Sequence, residues 1–275
     1  MRDDYTPPSH TPFTHKKSLG QNFLTSPVVP GWLCDAAAVG EGDVVLEIGP
    51  GTGALTRELL ARGAKVIALE ADARAITYLR EHCAPALESG QLTVHHSDAR
   101  HLSVSALGLQ DKGFLVVSNI PYYLSGFLLR QLLESSIQPH TLVFLMQKEM
   151  VARIARDKKE SLLSLSVKAF GDPYYDKTVS RGHFNPPPKV DSAILAVKNI
   201  DHARLADIDA AFFFTILHAG FQSKRKQLIG NLSSLYDRKM LERVFTNLSL
   251  SLTVRAEDIK LPTWMALCRR LRSLS

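Results

Sequence analysis

Nearly continuous apolar runs alternate with amphipathic stretches between residues 43 and 199. Such runs are typical of strands covered by helices on both faces, and apolar residues spaced three or four apart indicate helices. The pattern predicts strands at 44–48, 65–70, 92–96, 114–118, 142–146 and 193–197, and helices that include 55–62, 74–83 and 124–135. This alternation predicts a doubly wound, Rossmann-like α/β sheet with helices on both faces.

The strand signals stop after residue 199, and the rest of the chain has helical spacing. Helices are expected at 207–219, 223–235, 238–248 and 262–272. We therefore predict an α/β domain over residues 14–200 and a small all-α domain over residues 201–275. Residues 1–13 are polar and rich in proline, which predicts a flexible tail rather than a secretory signal.

Charge is divided unevenly between the two predicted domains. Residues 1–197 contain 20 basic and 20 acidic side chains, whereas residues 198–275 contain 13 and 7, so the net charge of +6 lies in the last part of the chain. A basic domain joined to a neutral one suggests that polyanion binding and chemistry are partly separated. A basic but merely solvated helical surface is the alternative.

Other classes of protein are disfavoured by the composition. No apolar run approaches the roughly 18–20 residues that span a bilayer, so no membrane association is expected. Cys34, Cys83 and Cys268 are far apart, which argues against a zinc site or a disulfide framework. We expect no metal, and the cysteine usage fits a reducing, cytoplasmic location.

A glycine-rich turn follows the first predicted strand, with glycines at Gly49, Gly51 and Gly53. Glycines let the backbone turn tightly and approach a ligand. The spacing lacks the third glycine of the dinucleotide fingerprint, and the loop has no Walker lysine. The segment 47–53 (EIGPGTG) instead resembles the first motif of methyltransferases. A strand followed by a glycine-rich turn would also suit NAD binding, which remains an alternative.

Two carboxylates lie at the carboxyl ends of the next two predicted strands, where Glu70 ends one strand and Asp98 follows the other. Glu70 lies ~17 residues after the last glycine, the usual distance for a residue that accepts hydrogen bonds from ribose hydroxyls. Asp98 follows the third strand and suits the adenine amino group. Either side chain alone is equally well explained as an ordinary helix cap, but together with the glycine loop they predict a nucleoside site.

The fourth predicted strand runs directly into Asn119, Ile120, Pro121 and Tyr122. Adenine N6 is a poor nucleophile, and two acceptors for its N–H groups would aim its lone pair at a sulfonium methyl. The Asn119 side-chain oxygen and the Ile120 carbonyl are candidates, and Pro121 restricts the backbone. Tyr122 offers a face on which a base stacks, worth ~1–3 kcal/mol. The alternative is a plain turn.

Phe184 is a second candidate for stacking on a base. It precedes a run of three prolines, which stiffens the loop and would help it hold a base that has left its helix. A plain proline-rich connection is the alternative.

Lys224, Arg225 and Lys226 form a basic cluster at the start of a predicted helix. They are the best candidates for RNA phosphate contacts, with a solvated charge run as the alternative.

Five ordered motifs together resemble the ribosomal RNA adenine N6-dimethyltransferases, most closely the small-subunit (16S) branch associated with kasugamycin sensitivity. The motifs are 15–24 (HKKSLGQNFL), 47–53 (EIGPGTG), 119–122 (NIPY), 184–192 (FNPPPKVDS) and 220–228 (GFQSKRKQL). The resemblance implies S-adenosylmethionine as methyl donor. It also implies two methyl groups on each of two adjacent adenosines in a hairpin of 16S ribosomal RNA. We further expect a monomer.

The resemblance also implies which residues contact the cofactor. At the matching positions these are Asn22, Leu24, Gly49, Glu70, Asp98 and Asn119. The chain departs from the family in three places: Ile120 replaces the usual leucine, Gly126 stands where serine or threonine is common, and Lys224 replaces an arginine. The last change keeps the charge but loses a bidentate phosphate fork.

Other functions compete with this interpretation. The large-subunit (23S) branch, which confers macrolide resistance, shares the cofactor and catalytic motifs. A ribosome-assembly checkpoint factor would depend on binding more than on methylation, and a related organellar branch acts as a transcription factor. A DNA adenine methyltransferase would carry Asn-Pro-Pro-Tyr or Asp-Pro-Pro-Tyr, which this sequence lacks.

Overall fold

A computed structural model describes residues 22–205 and 207–274. The predicted tail and residues 15–21 of the first motif lie outside this range. The chain divides into two compact units. The first contains the described residues up to Val151 together with Tyr174–Ile200, and the second contains Ala152–Pro173 and the described residues from Asp201 onward. Residues 152–173, which the sequence pattern placed in the first domain, therefore belong to the second unit.

A seven-stranded sheet forms the centre of the first unit, in the order β4-β3-β2-β5-β6-β9-β7. Its strands are β2 (Val44–Ile48), β3 (Lys65–Glu70), β4 (Leu92–His96), β5 (Leu115–Asn119), β6 (Thr141–Gln147), β7 (Asp172–Val179) and β9 (Ser192–Lys198). Strands β2 to β6 are parallel, and β9 pairs antiparallel with β6. A separate antiparallel pair joins β1 (Phe23–Leu24) to β8 (Phe184–Asn185). The predicted α/β class is confirmed.

The strand order reverses between β2 and β5, which is where sheets of this kind bind ligands. All six predicted strands are present, with shifts of one residue at some ends. Strand β7 was missed because it lies at the edge of the sheet and carries several exposed polar side chains in place of an apolar run.

Helices pack along the sheet and bury its apolar side chains. They are α1 (Val28–Ala37), α2 (Ala54–Ala61), α3 (Ala73–His82) and α4 (Ala84–Glu88). Helix α5 (Ser125–Leu133) follows β5, and α6 (Lys148–Ala155) begins in the first unit and ends in the second. Burial of each Leu or Val side chain contributes about 1.5–3 kcal/mol. Helix α1 was not predicted, since no side chain caps its first turn.

The second unit is largely helical, and among its described residues only Asp172 and Pro173, the start of β7, belong to a strand. Its helices are α7 (Leu162–Lys168), α8 (Ala210–Gly220), α9 (Leu228–Leu232), α10 (Arg238–Asn247) and α11 (Leu261–Arg272). Gly220 is required at the end of α8 because a Cβ there would overlap the ring of Trp264. The helix predicted over 223–235 is shorter than expected and starts at Leu228, after a turn.

Candidate active site

A cleft lies in the first unit at the carboxyl ends of β2, β3, β4 and β5, and it encloses about 950 Å³ of space, part of it open to solvent. Each of these strands is followed by residues that line it, because parallel strands end at the same edge of a sheet. Its lining includes Asn22–Leu24, Glu47–Thr52, Glu70, Asp98 and Asn119–Leu124. Among the described residues, no group of histidine, cysteine or carboxylate side chains has an arrangement that would hold a metal ion.

The glycine loop needs the left-handed backbone that glycine tolerates. Gly49, Gly51 and Gly53 have φ angles of 69°, 56° and 73°. A Cβ on Gly51 would lie 3.0 Å from the ring of Phe23, so this glycine also permits a close approach of β1. Gly53 does not line the cleft but precedes α2, where a Cβ would lie 2.7 Å from Leu79. Gly49 and Gly51, unlike Gly53, therefore line the cleft.

The Glu70 carboxylate is buried and held by backbone donors. It accepts hydrogen bonds from the N–H groups of Gly51 at 3.1 Å, Ala71 at 2.8 Å and Asp72 at 2.8 Å. Burial raises the pKa of Glu70, and these three hydrogen bonds oppose the rise. The bond to Gly51 ties the end of β3 to the glycine loop, so one side chain organises two walls of the cleft.

Asp98 is more open, with a side chain that is 27% exposed. Its carboxylate is paired with the Arg100 guanidinium, with Nη2 2.6 Å from Oδ2 and Nε 3.1 Å from Oδ1. This pairing lowers the pKa of Asp98 to about 2. The carboxylate is therefore ionised at neutral pH and suited to accept a hydrogen bond from an amino group.

Asn119 ends β5, and its side-chain amide has a defined orientation. Its Nδ2 donates a hydrogen bond to the backbone carbonyl of Asn22, 3.1 Å away. Because a carbonyl can only accept, the nitrogen of the amide must face Asn22, and the Oδ1 atom is left as an acceptor for another donor. The resemblance had assigned Asn22 to the cofactor, but the hydrogen bond shows that its carbonyl also positions Asn119.

The ring of Tyr122 is anchored by its hydroxyl. That hydroxyl lies 2.6 Å from the Ser192 hydroxyl at the start of β9, and Ser192 is fully buried. Ile120, Pro121 and Tyr122 all line the cleft beside Asn119. The four residues of the predicted catalytic segment thus lie side by side in the cleft, and Ser192, the last residue of the motif 184–192, holds the ring of Tyr122, a contact that the sequence did not predict.

Two further polar side chains were missed by sequence reasoning. The Ser118 hydroxyl accepts a hydrogen bond from the backbone N–H of Ile48 at 2.8 Å, and both residues are buried. Glu47 accepts a hydrogen bond from the Thr56 hydroxyl at 2.7 Å, and burial raises the pKa of Glu47 to about 8. A small hydroxyl inside a strand, such as that of Ser118, does not interrupt the apolar pattern of the strand, so the pattern gives no sign of its hydrogen bond.

Some predicted residues are not brought to the cleft. Phe184 is 4% exposed, pairs with Leu24 between β8 and β1, and does not line the cleft. Stacking of a base on Phe184 therefore stays a prediction that requires the ring to become exposed. Lys224, Arg225 and Lys226 belong to the second unit, where they are exposed in the turn before α9 rather than within a helix.

Known proteins match this chain over most of its length. The ribosomal RNA adenine dimethylase family matches residues 12–271. Ribosomal RNA small subunit methyltransferase A of Dehalococcoides mccartyi strain CBDB1 is 34% identical over 256 residues, which cover 92% of this chain and 87% of that protein. The protein with the same name from Bacillus cereus strain AH187 is 34% identical over 271 residues, which cover 94% of this chain and 92% of that protein.

Two solved structures are also similar. A dimethyladenosine transferase from Plasmodium falciparum superposes with a TM-score of 0.77 and 26% identity, over 91% of this chain and 98% of that one. The 23S rRNA methyltransferase ErmE has the same fold, with a TM-score of 0.71 and 24% identity over 91% of this chain and all of that one.

The sheet order and the cleft at its switch point are those of an S-adenosylmethionine-dependent methyltransferase. The chain belongs to the ribosomal RNA adenine dimethylase family. The family predicted from the five motifs and its cofactor are thereby confirmed. Among the described residues, no helix is both long and apolar enough to cross a membrane.

Proposed function

We propose that this chain transfers methyl groups from S-adenosylmethionine to N6 of two adjacent adenosines in a hairpin near the 3′ end of 16S ribosomal RNA. Each adenosine receives two methyl groups, as a step in small-subunit biogenesis. The observation that carries the proposal is the orientation of Asn119, whose amide nitrogen is held by Asn22 so that its oxygen is available in the cleft.

The cleft is suited to hold the methyl donor. Glu70 would accept hydrogen bonds from ribose hydroxyls, and the ionised Asp98 would accept one from the adenine amine; the burial of Glu70 beside the glycine loop and the low pKa of Asp98 support these roles. Gly49 and Gly51 leave room beside the backbone for the amino-acid part, and Leu24 contributes an apolar wall. S-adenosylmethionine supplies an electrophilic methyl group on a sulfonium sulfur.

Asn119 and Ile120 prepare the target amine. The Asn119 Oδ1 atom and the Ile120 carbonyl accept the two N–H groups of adenine N6, which favours a pyramidal nitrogen with its lone pair directed at the methyl group. Pro121, with φ of −57°, fixes the backbone after that carbonyl. As the C–N bond forms, the C–S bond of the donor would break and leave S-adenosylhomocysteine, and the methylated amine would then lose its proton to water. Catalysis therefore rests on positioning and on preorganised dipoles rather than on a general base.

Tyr122 supplies the surface for the target base. Stacking of a base on an aromatic ring is worth about 1–3 kcal/mol. The hydrogen bond to Ser192 restricts the rotation of the ring, so less freedom is lost when the base arrives. A flipped-out adenosine would place N6 next to Asn119 and its ring against Tyr122.

The second unit carries the features expected for RNA binding. The exposed cluster Lys224, Arg225 and Lys226 would neutralise phosphates without reading sequence. The names of the relatives at 34% identity favour the small subunit over the large one. We place the reaction in the cytoplasm, on 16S ribosomal RNA in the small subunit or its precursor, and we expect the chain to act as a monomer.

The first test is incubation of the protein with labelled S-adenosylmethionine and undermethylated small subunits, large subunits or duplex DNA, followed by mass spectrometry of the nucleosides. N6,N6-dimethyladenosine only in small-subunit RNA supports the proposal. Label in large-subunit RNA moves the protein to the 23S branch, and label in none of the substrates contradicts the enzymatic function.

Asn119→Ala addresses the checkpoint alternative. We expect the rate of methyl transfer to fall by about 100-fold or more, the loss typical when one preorganised hydrogen-bonding group is removed. The exposed Asn247→Ala in the second unit is the matched control and should retain full activity. If Asn119→Ala restores subunit assembly in a deletion strain without methylating RNA, binding rather than catalysis is the main role.

A further inference from the structure

The sequence Asp-Ala-Arg occurs twice, at 72–74 and at 98–100, each time two residues after a strand of the sheet. Both copies fold in the same way: the aspartate accepts a hydrogen bond from the backbone N–H of the arginine, and the guanidinium returns to the same carboxylate. In the first copy, Arg74 Nη2 lies 2.6 Å and Nε 3.0 Å from the Asp72 oxygens.

The two copies differ in what surrounds the carboxylate. The Asp72 side chain is 1% exposed and caps α3, whereas Asp98 is 27% exposed and lines the cleft. The Arg100 side chain is 62% exposed. The exposed Arg100 guanidinium is therefore paired with the same carboxylate that, in the proposed function, accepts a hydrogen bond from the adenine amine of the methyl donor.

We infer that Arg100 competes with the adenine amine of the methyl donor for the Asp98 carboxylate and thereby sets the affinity of the cleft for the donor and its product. The inference rests on the proposed role of Asp98. The guanidinium engages both carboxylate oxygens through Nη2 and Nε. A carboxylate offers about four lone-pair positions. The Arg100 backbone N–H, Nε and Nη2 already take up most of them, so an amine that approaches either oxygen competes with these hydrogen bonds. Because an exposed ion pair contributes little free energy, this competition lowers the affinity for the methyl donor only modestly and does not prevent binding.

Calorimetric titration of the full chain with S-adenosylhomocysteine tests the inference. Arg100→Ala should bind about two- to five-fold more tightly than the wild type, the range that an exposed ion pair supports. Arg100→Lys, which loses the bidentate fork, should fall between the two. Arg74→Ala removes the same fork away from the cleft and is the matched control, with unchanged affinity expected.

Ionic strength provides a readout that a purely structural role would not move. Salt weakens an exposed ion pair. A higher salt concentration should therefore increase the affinity of the wild type for S-adenosylhomocysteine more than that of Arg100→Ala, so the difference in affinity between the two proteins should become smaller. A constant difference at all salt concentrations would contradict the competition.

Asp98→Asn separates this inference from the proposed function. If Asp98→Asn weakens binding but Arg100→Ala leaves it unchanged or weaker, Arg100 does not compete and the role of Asp98 stands. If Asp98→Asn leaves the affinity unchanged, the assignment of Asp98 fails and the inference fails with it. Thermal unfolding of each variant confirms that the affinities are those of folded protein.

Discussion

The Ser118 hydroxyl accepts a hydrogen bond from the backbone N–H of Ile48, 2.8 Å away. Ile48 immediately precedes the glycine loop, and Ser118 immediately precedes Asn119. The backbone ladder between β2 and β5 pairs Leu46 with Val116 but extends no further. The hydroxyl therefore connects the two strand ends where they separate, and we expect it to couple the position of the glycine loop to that of Asn119.

Loss of this hydroxyl should affect both halves of the site. Ser118→Ala leaves a buried N–H without its acceptor, which costs about 1–3 kcal/mol in the free energy of unfolding. Because both loops shift, we expect KM for S-adenosylmethionine to rise and kcat to fall, measured by methyl transfer and urea denaturation. Ser105→Ala, an exposed serine, should change stability by less than about 0.5 kcal/mol. A stability loss without a kinetic effect would refute the coupling.

The hydrogen bond between Tyr122 and Ser192 predicts a specific pattern of kinetic losses. Tyr122→Phe and Ser192→Ala each remove one partner, so both should raise KM for RNA by a similar, small factor. The double variant should be no worse than either single one, because the two residues act through one bond. Tyr122→Ala should lose about 1–3 kcal/mol of transition-state stabilisation, since it also removes the stacking surface. Additive losses in the double variant would show that the residues act independently.

Glu47 should make stability depend on pH between about 5 and 8. Burial raises its pKa to about 8 from an ordinary value of 4.5, so the folded protein holds a proton that the unfolded chain releases. Its contribution is fully present below pH 4.5 and is lost as the pH rises toward 8, by at most about 1.4 kcal/mol per unit.

Glu47→Gln keeps an acceptor for Thr56 and removes the titration. Relative to the wild type, this variant should therefore gain stability steadily from pH 5 to pH 8 in denaturant titrations. An unchanged difference across that range would show that Glu47 is ionised in the folded protein.

The basic cluster predicts a change in the salt dependence of RNA binding. Replacing Lys224, Arg225 and Lys226 by glutamine should weaken binding to small-subunit RNA. It should also reduce the slope of log K against log salt by about 0.7–0.9 for each phosphate that the variant no longer neutralises. Arg238→Gln is the control, because Glu242 already pairs with Arg238 at 3.1 Å. An unchanged slope in the triple variant would identify the cluster as a solvated surface.

The sequence by itself determined the fold class and most of the cleft. Gly49 and Asp98 follow strands, and Glu70 and Asn119 end strands, whose apolar runs are visible in the sequence, and the parallel sheet gathers these strand ends at one edge. The succession of strands and turns along the chain was enough to predict that the residues at these strand ends would lie close together. The family followed from the same short motifs, since each is continuous in sequence.

Only the tertiary structure decided how these residues are held. Asn22 lies 97 residues from Asn119, and Ser192 lies 70 residues from Tyr122, so neither hydrogen bond leaves a periodic signal in the chain. The burial of Phe184 and the assignment of residues 152–173 to the second unit likewise depend on packing. Contacts between distant segments are set by three-dimensional geometry, whereas strand ends and glycine turns are set by neighbouring residues.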